Sequence, residues 1–71
     1  MDPGLMRQAR IAGGLTYREV AEAARLDPSA IAHYEVGRAH PSEAARRRWR
    51  NALADLLTYR SRQIAAVLDR L

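Results

Sequence analysis

Apolar residues recur at steps of three and four positions along most of the chain, and no stretch alternates as a strand would. Such spacing places the apolar side chains on one face of successive helices. We therefore predict an all-α fold, a compact bundle of four to five helices. The predicted helices lie near residues 3–12, 17–24 and 28–36, with a fourth from residue 43 onward.

Residues that cap or end helices support these boundaries. Asp2 and Asp27 each precede a proline, a pair that suits a helix start. Thr16 and Glu19 form the pattern T-x-x-E of a capping box, in which side chain and backbone satisfy each other at the first turn. The residues expected to end helices are Gly13, Gly14 and Gly37.

The predicted core combines one apolar face of each helix. Its members from the first three helices are Met6, Ala9, Leu15, Val20, Ala21, Ala24, Leu26, Ile31 and Tyr34. Its members from the fourth helix are Trp49, Ala52, Leu53 and Leu56. We interpret Trp49 as a packing residue, because a lone indole on a helical stripe fills volume more often than it binds a ligand.

The second and third predicted helices are short and closely spaced. Only a three- or four-residue turn around Arg25 and Leu26 separates them. Two helices joined so tightly cross at a steep angle, which is the geometry of a helix-turn-helix, a motif that places one helix in the DNA major groove. The spacing therefore favours a DNA-reading role.

The charge of the chain agrees with a polyanionic partner. The net charge is +4, the pI is about 10.7, and all twelve basic residues are arginines. A positive surplus favours the phosphate backbone of nucleic acid, although an arginine bias also follows from a genome rich in G and C. Aromatic residues are few, so stacking on single strands is poorly supported and double-stranded DNA is the better target.

Composition also excludes several protein classes. With 71 residues the chain suffices for one domain with a modest core. The absence of Cys excludes disulfides and thiolate metal sites and fits a reducing compartment. No apolar run approaches the roughly 18 residues of a membrane span, and the first residues lack the order of a signal peptide. We expect a soluble, cytoplasmic protein without membrane contact.

The combined motifs resemble a known family. They are Met6-Arg7-Gln8-Ala9-Arg10, Gly14-Leu15-Thr16, Glu19-Val20-Ala21, Ser29-Ala30-Ile31, Tyr34-Glu35-Val36-Gly37-Arg38 and Pro41-Ser42. This set is similar to the helix-turn-helix of the Cro and lambda-repressor type, also called the XRE family. The resemblance covers roughly residues 5–56 and is specific only as a combined pattern.

The resemblance implies roles for individual residues. The start of the third helix would enter the major groove, and the start of the second would meet the phosphate backbone. Arg10 and Glu35 match positions that form a structural ion pair between the first and third helices. The DNA-binding residues implied or predicted in this way are Thr16, Tyr17, Arg18, Arg25, Pro28, Ser29, Ala30, His33, Arg38 and His40.

The chain departs from the family pattern in three respects. Tyr17 stands where members often have Gln, so an amide clamp on the backbone becomes a phenol hydrogen bond. Arg25 stands in the turn where many members have Gly, and it must accept a left-handed backbone at about 1 kcal/mol or alter the turn. The third helix offers Ser29 and His33 but no Arg, Asn or Gln, so direct base readout is thin.

Two further groups of side chains leave alternatives open. Arg46, Arg47, Arg48 and Arg50 form either a solvated face or a flank that binds phosphates or an acidic partner. His33 lies either in the groove or on a plain exposed face. His33 and His40 do not make a metal pair, because no Cys completes the ligand set.

The C-terminal part carries an apolar stripe that needs covering. The stripe packs either on the core of its own domain or against a second copy as a helix-to-helix seam, with Arg60 interrupting the heptad. Thr58 or Ser61 can cap a separate fifth helix here. We predict a DNA-binding domain at residues 1–57 and an amphipathic helix at residues 58–71. The predicted dimerisation residues are Leu57, Ile64, Val67, Leu68 and Leu71.

These observations predict a sequence-specific regulator that binds double-stranded DNA, a phage or bacterial repressor that occupies an operator and excludes competing proteins. Antitoxins and phage excision factors are relatives with the same fold. The alternative from another class is a protein-interaction module with weak or no base readout. No catalytic motif is present, so we expect no enzyme activity, cofactor or metal. Because the chain ends on an apolar helix, it can also be one domain of a longer protein.

Overall fold

The structure is a computed structural model that describes residues 2–71. Each of its helices begins at a short local sequence signal. Met1, with which the predicted DNA-binding domain begins, lies outside these residues. The helices are α1 (Pro3–Ala12), α2 (Tyr17–Ala24), α3 (Pro28–Glu35) and α4 (Glu43–Leu68). The described residues form no strand, and the predicted all-α bundle of four to five helices is confirmed with four.

A side-chain oxygen caps the first turn of every helix. Asp2 accepts a hydrogen bond from the N–H of Gly4, and Ser42 accepts one from the N–H of Ala45. Thr16 caps α2 in a complete capping box with Glu19. These caps satisfy backbone donors that have no partner inside the helix, which is why the predicted helix starts coincide with the observed ones.

Three helix ends share one backbone arrangement. Gly14, Arg25 and Gly37 follow α1, α2 and α3 with positive φ angles of 66°, 58° and 78°. After each of them, the next N–H donates to a carbonyl five residues back, as Leu26 does to Ala21. This is the Schellman arrangement, in which glycine is favoured because it has no Cβ. Arg25 therefore occupies a position that glycine fills in the other two turns.

The core is centred on three side chains with almost no exposure, Trp49, Ile31 and Val20. The Tyr34 and Trp49 rings lie 5.6 Å apart between centroids and tilt by 40°, so aromatic contact joins α3 to α4. Some predicted core residues are only half-buried and pack around this cluster. They are Ala9, Leu26, Tyr34 and Leu56.

The fourth helix runs for 26 residues without a break, so neither Thr58 nor Ser61 begins a fifth helix. Its first half packs on α1 and α2, whereas residues 61–71 are exposed throughout. The described molecule measures 44 × 19 × 19 Å because this helix extends beyond the others. No helix among residues 2–71 has both the length and the apolar character needed to cross a bilayer.

Candidate nucleic-acid interface

The turn between α2 and α3 consists of Arg25, Leu26 and Asp27. Leu26 packs against the core, while Arg25 and Asp27 are exposed. Asp27 starts α3 by accepting a hydrogen bond from the N–H of Ser29 at 2.9 Å. The two short helices therefore follow each other after three residues, which is the helix-turn-helix connection predicted from the sequence.

The outward face of α3 is set by what anchors its inner face. Ile31 and Glu35 are buried, and Tyr34 is half-buried against Trp49. The side chains of Ser29 and His33 lie one turn apart on the opposite, exposed face. Pro28 is exposed as well, whereas Ala30 is half-buried and offers less surface.

Val36 extends this face and was not among the predicted site residues. It caps the end of α3 three positions after His33, and 62% of its surface is exposed. Its spacing from His33 is the signal that could have identified it, because residues three apart share a helix face. The exposed face therefore combines a hydroxyl, an imidazole and an apolar side chain.

The hydroxyl of Ser29 is already engaged as a donor. It donates to Asp27 Oδ1 at 2.7 Å. This bond, together with the one from the Ser29 backbone N–H, lowers the pKa of the Asp27 carboxyl below its ordinary value. With its proton committed to Asp27, Ser29 Oγ offers lone pairs to an incoming group and acts as an acceptor.

A buried ion pair connects α1 to α3. Arg10 Nε and Nη2 donate to the two Glu35 carboxylate oxygens at 2.6 and 3.1 Å. The Glu35 side chain has no exposed surface, and that of Arg10 is 12% exposed. The hydrogen bond to Glu35 is the main reason why the pKa of Arg10 is raised. This pair holds the back of α3 and does not face the exposed residues.

Arg10 also fixes the entrance to α2. Its guanidinium lies 4.2 Å from the centroid of the Tyr17 ring, and it donates to the carbonyl of Leu15 at 2.9 Å. The Tyr17 ring is half-buried and packs against the core. This predicted DNA-binding residue therefore uses its ring for packing and cation–π contact.

The first turn of α2 is satisfied by its capping box. The Thr16 hydroxyl accepts from the Glu19 N–H at 3.1 Å, and the Thr16 N–H donates to Glu19 Oε1 at 3.0 Å. The hydrogen bond from the Thr16 backbone is the largest cause of the lowered pKa of Glu19. Thr16 is thus occupied by the cap, while the Arg18 side chain two residues later is exposed.

Arg60 reaches the same region from the middle of α4. Its Nη1 donates to the carbonyls of Gly13 and Gly14 at 2.8 and 3.0 Å, and its Nη2 lies 3.3 Å from Glu19 Oε2. In the pattern of apolar positions, Arg60 is predicted only to interrupt the stripe. The interruption was itself the signal, because a single cation in an apolar stripe must leave the stripe to find acceptors.

The remaining predicted residues lie in two separate places. Arg38 and His40 are exposed in the loop between α3 and α4. Arg25 lines a groove between α2 and α4 together with Arg48, Asn51 and Tyr59. These predicted basic residues therefore lie at two separate places, the loop after α3 and the turn after α2. No group of three or more His, Asp or Glu side chains within residues 2–71 is placed to hold a metal ion.

A comparison with protein families supports the helix-turn-helix assignment. A family model described as "Helix-turn-helix" matches residues 6–45, which is more than half of the chain. The matched segment spans most of α1, all of α2 and α3, and the first turn of α4. No curated protein and no solved structure matches the chain.

Proposed function

The chain belongs to the helix-turn-helix family of the Cro and lambda-repressor type, which comprises DNA-binding transcription regulators, and we propose that it is a sequence-specific reader of double-stranded DNA. In this proposal α3 enters the major groove of an operator. The observation that carries the proposal is the exposed face of Ser29, His33 and Val36 on a helix held from behind by Ile31 and Glu35.

Base contacts on this face are few and mostly weak. Ser29 Oγ, as an acceptor, suits the amino group of adenine or cytosine, and His33 can donate one hydrogen bond to a purine N7. Pro28, Ala30 and Val36 offer apolar surface to thymine methyl groups. Since α3 contains no Arg, Asn or Gln for bidentate readout, part of the specificity comes from the shape of the DNA.

Phosphate contacts position the protein on the duplex. The first turn of α2, with Tyr17 and Arg18, directs the positive end of the helix dipole toward one strand. Arg38 and His40 contact the phosphates beyond α3, and Arg25 adds a further cation near the turn. Each neutralised phosphate contributes about 0.9 to the salt dependence of binding.

To regulate transcription, such a protein needs only to occupy its DNA site. A bound helix-turn-helix domain excludes other proteins from the same stretch of DNA, so we propose that the chain is a repressor of phage or bacterial origin that acts on DNA inside the cell. A role as an antitoxin or a phage excision factor would use the same surface. The thin base readout of α3 favours a second candidate, a protein-interaction module that no longer reads bases.

Selection from random duplex DNA separates these functions. A DNA reader enriches a short motif, and the Ser29→Ala/His33→Ala double variant should bind that motif at least about tenfold more weakly while binding to random duplex is unchanged. A matched control is Thr58→Ala/Gln63→Ala, which also removes two exposed polar groups but lies on α4. Equal losses for motif and random DNA contradict base readout. A chain that binds no duplex favours the interaction module.

A further inference from the structure

Arg60 joins the middle of α4 to the turn between α1 and α2. Its Nη1 donates to the carbonyls of Gly13 and Gly14 at 2.8 and 3.0 Å, and neither carbonyl has a partner inside a helix. Its Nη2 lies 3.3 Å from Glu19 Oε2. A methyl group added at Gly14 would lie 3.4 Å from Nη1, so the guanidinium sits close against this turn. These contacts fix the first turn of α2 relative to α4.

Glu19 divides its two carboxylate oxygens between different partners. Oε1 accepts from the Thr16 N–H in the capping box at 3.0 Å, and Oε2 faces Arg60. The N–H of Glu19 donates to the Thr16 hydroxyl, so the cap uses the N–H groups of both residues. The N–H groups of Tyr17 and Arg18 have no acceptor within the helix. They are the donors that this helix start offers to a phosphate.

The Glu19 carboxylate works against a phosphate contact at this turn. Its pKa is lowered, chiefly by the hydrogen bond from the Thr16 backbone and to a smaller extent by the positive charge of Arg60, so it is ionised at neutral pH. An ionised carboxylate repels a phosphate and offsets part of the positive end of the helix dipole. The guanidinium of Arg60 supplies the opposite charge from the α4 side.

We propose that Arg60 is a positioning residue for the phosphate contact of α2. It cancels the charge of Glu19 and holds the turn of Gly13 and Gly14 against α4, and it does not touch the DNA itself. Its side chain is only 38% exposed, and three of its five N–H donors are engaged within the protein, which favours this indirect role over a direct phosphate contact. The role rests on the proposed function, in which the first turn of α2 meets the phosphate backbone.

Binding of the whole chain to random duplex DNA at low salt tests this role, because phosphate contacts carry no sequence information. We expect Arg60→Gln to weaken this binding roughly two- to fivefold, the effect of one charge at a helix start. Glu19→Gln keeps the cap, since Gln also serves at this position of a capping box. In the Glu19→Gln background no carboxylate charge is left to cancel, so adding Arg60→Gln should cost less than about 1.5-fold. Arg60→Lys keeps the charge and should bind within about 1.5-fold of the wild type.

The matched control is Arg62→Gln, which removes the same charge from the same helix. Arg62 is exposed and lies on the other side of α4 from Arg60, so its variant shows the general effect of one lost charge, and every loss is taken relative to it. Circular dichroism and urea unfolding verify that each variant is folded in the binding assay. An equal loss from Arg60→Gln in both backgrounds overturns the proposal, because Arg60 then acts as a structural tie or touches DNA. Arg60→Lys binding as weakly as Arg60→Gln overturns it as well.

A measurement on the wild type keeps the proposal falsifiable if Arg60→Gln does not fold. When random duplex is added, the amide resonances of Tyr17 and Arg18 should shift, while the Nε–H resonance of Arg60 stays in place. A shift of the Arg60 resonance as large as those of the amides indicates direct contact and overturns the proposal, and unshifted amides do the same. Motif enrichment by the wild type, with no loss in Arg60→Gln, leaves the proposed function intact and removes only this role. A wild type that binds no duplex removes both.

Discussion

Replacing Arg25 with glycine is expected to stabilise the protein although it removes a whole side chain. Arg25 holds φ 58° and ψ 46°, and it is the single non-glycine residue with positive φ among residues 2–71. It takes the position after α2 that Gly14 and Gly37 take after α1 and α3. Within those residues its guanidinium makes no hydrogen bond and no ion pair, so the variant loses no polar contact of the folded protein.

The expected change in the free energy of unfolding of Arg25→Gly is the difference between two opposing effects. A left-handed backbone costs a residue with a Cβ roughly 1–2 kcal/mol. Relieving this cost stabilises the folded state. Glycine also increases the conformational freedom of the unfolded chain, which lowers the stability again by about 0.4–1 kcal/mol. The net increase in the free energy of unfolding is about 0.5–1 kcal/mol, which raises Tm by roughly 2–8 °C in a domain of this size.

Thermal and urea unfolding followed by circular dichroism measure this change in three variants. Arg25→Ala removes the guanidinium but keeps the Cβ, so it should not gain the stability of Arg25→Gly. Gly37→Ala is the mirror experiment, because a methyl group there meets nothing within 4 Å while φ is 78°. It should therefore lose about as much stability as Arg25→Gly gains.

The two Arg25 variants also separate stability from DNA contact. If Arg25→Ala stabilises the protein as much as Arg25→Gly does, backbone strain is not the cause and the reasoning is refuted. In DNA binding the two variants should instead behave alike. Loss of one phosphate contact lowers the salt slope by about 0.9 in both. An unchanged slope removes Arg25 from the set of DNA-binding residues.

Two other predictions concern charged groups. Arg10→Met should lower the free energy of unfolding by roughly 3–5 kcal/mol, because it leaves the fully buried Glu35 carboxylate with only Arg7 at 4.0 Å. Urea titration should show Arg10→Met/Glu35→Met to be much more stable than the single variant, and an equally unstable double variant argues against the pair. The lowered pKa values of Glu19 and Asp27 mean that both carboxylates stabilise the fold above their unfolded pKa values, near 4.5 and 3.8, and lose this effect as pH falls through the folded values. Stability measured between neutral and acidic pH should fall less steeply in Glu19→Gln/Asp27→Asn than in the wild type, and parallel curves contradict the assignment.

The helix starts could be predicted because each is specified within three residues. Asp2, Thr16, Asp27 and Ser42 all cap the helix that follows, as their positions in the sequence indicated. Helix ends were less certain, since they depend on backbone angles as well as side chains. The third helix was predicted to include Val36 but ends one residue earlier, because the positive φ of Gly37 closes the turn there.

The two faces of α3 were predictable for a similar reason. Ile31 and Tyr34 belong to the core pattern, which turns Ser29 and His33 outward, and the pair between Arg10 and Glu35 expected from the family resemblance is present. The contacts of Arg60 were not predictable. More than forty residues separate it from Gly13 and Glu19, and no local rule selects acceptors at that distance.

The end of α4 illustrates why periodicity alone could not decide what covers an apolar stripe. The same spacing of apolar residues satisfies a helix packed on its own domain and a helix packed on a partner. The lengths of the helices show which part of the stripe packs on its own domain. At 1.5 Å per residue, α4 is about 39 Å long and α1 only about 15 Å. The end of α1 meets α4 at Leu57, where Gly13 leaves room for that side chain. Beyond that level residues 61–71 are all exposed. The apolar residues of the stripe therefore lie in the core before Leu57 and on the exposed surface after it. Because α4 extends beyond the other helices, its last apolar side chains are not covered by the described part of the chain.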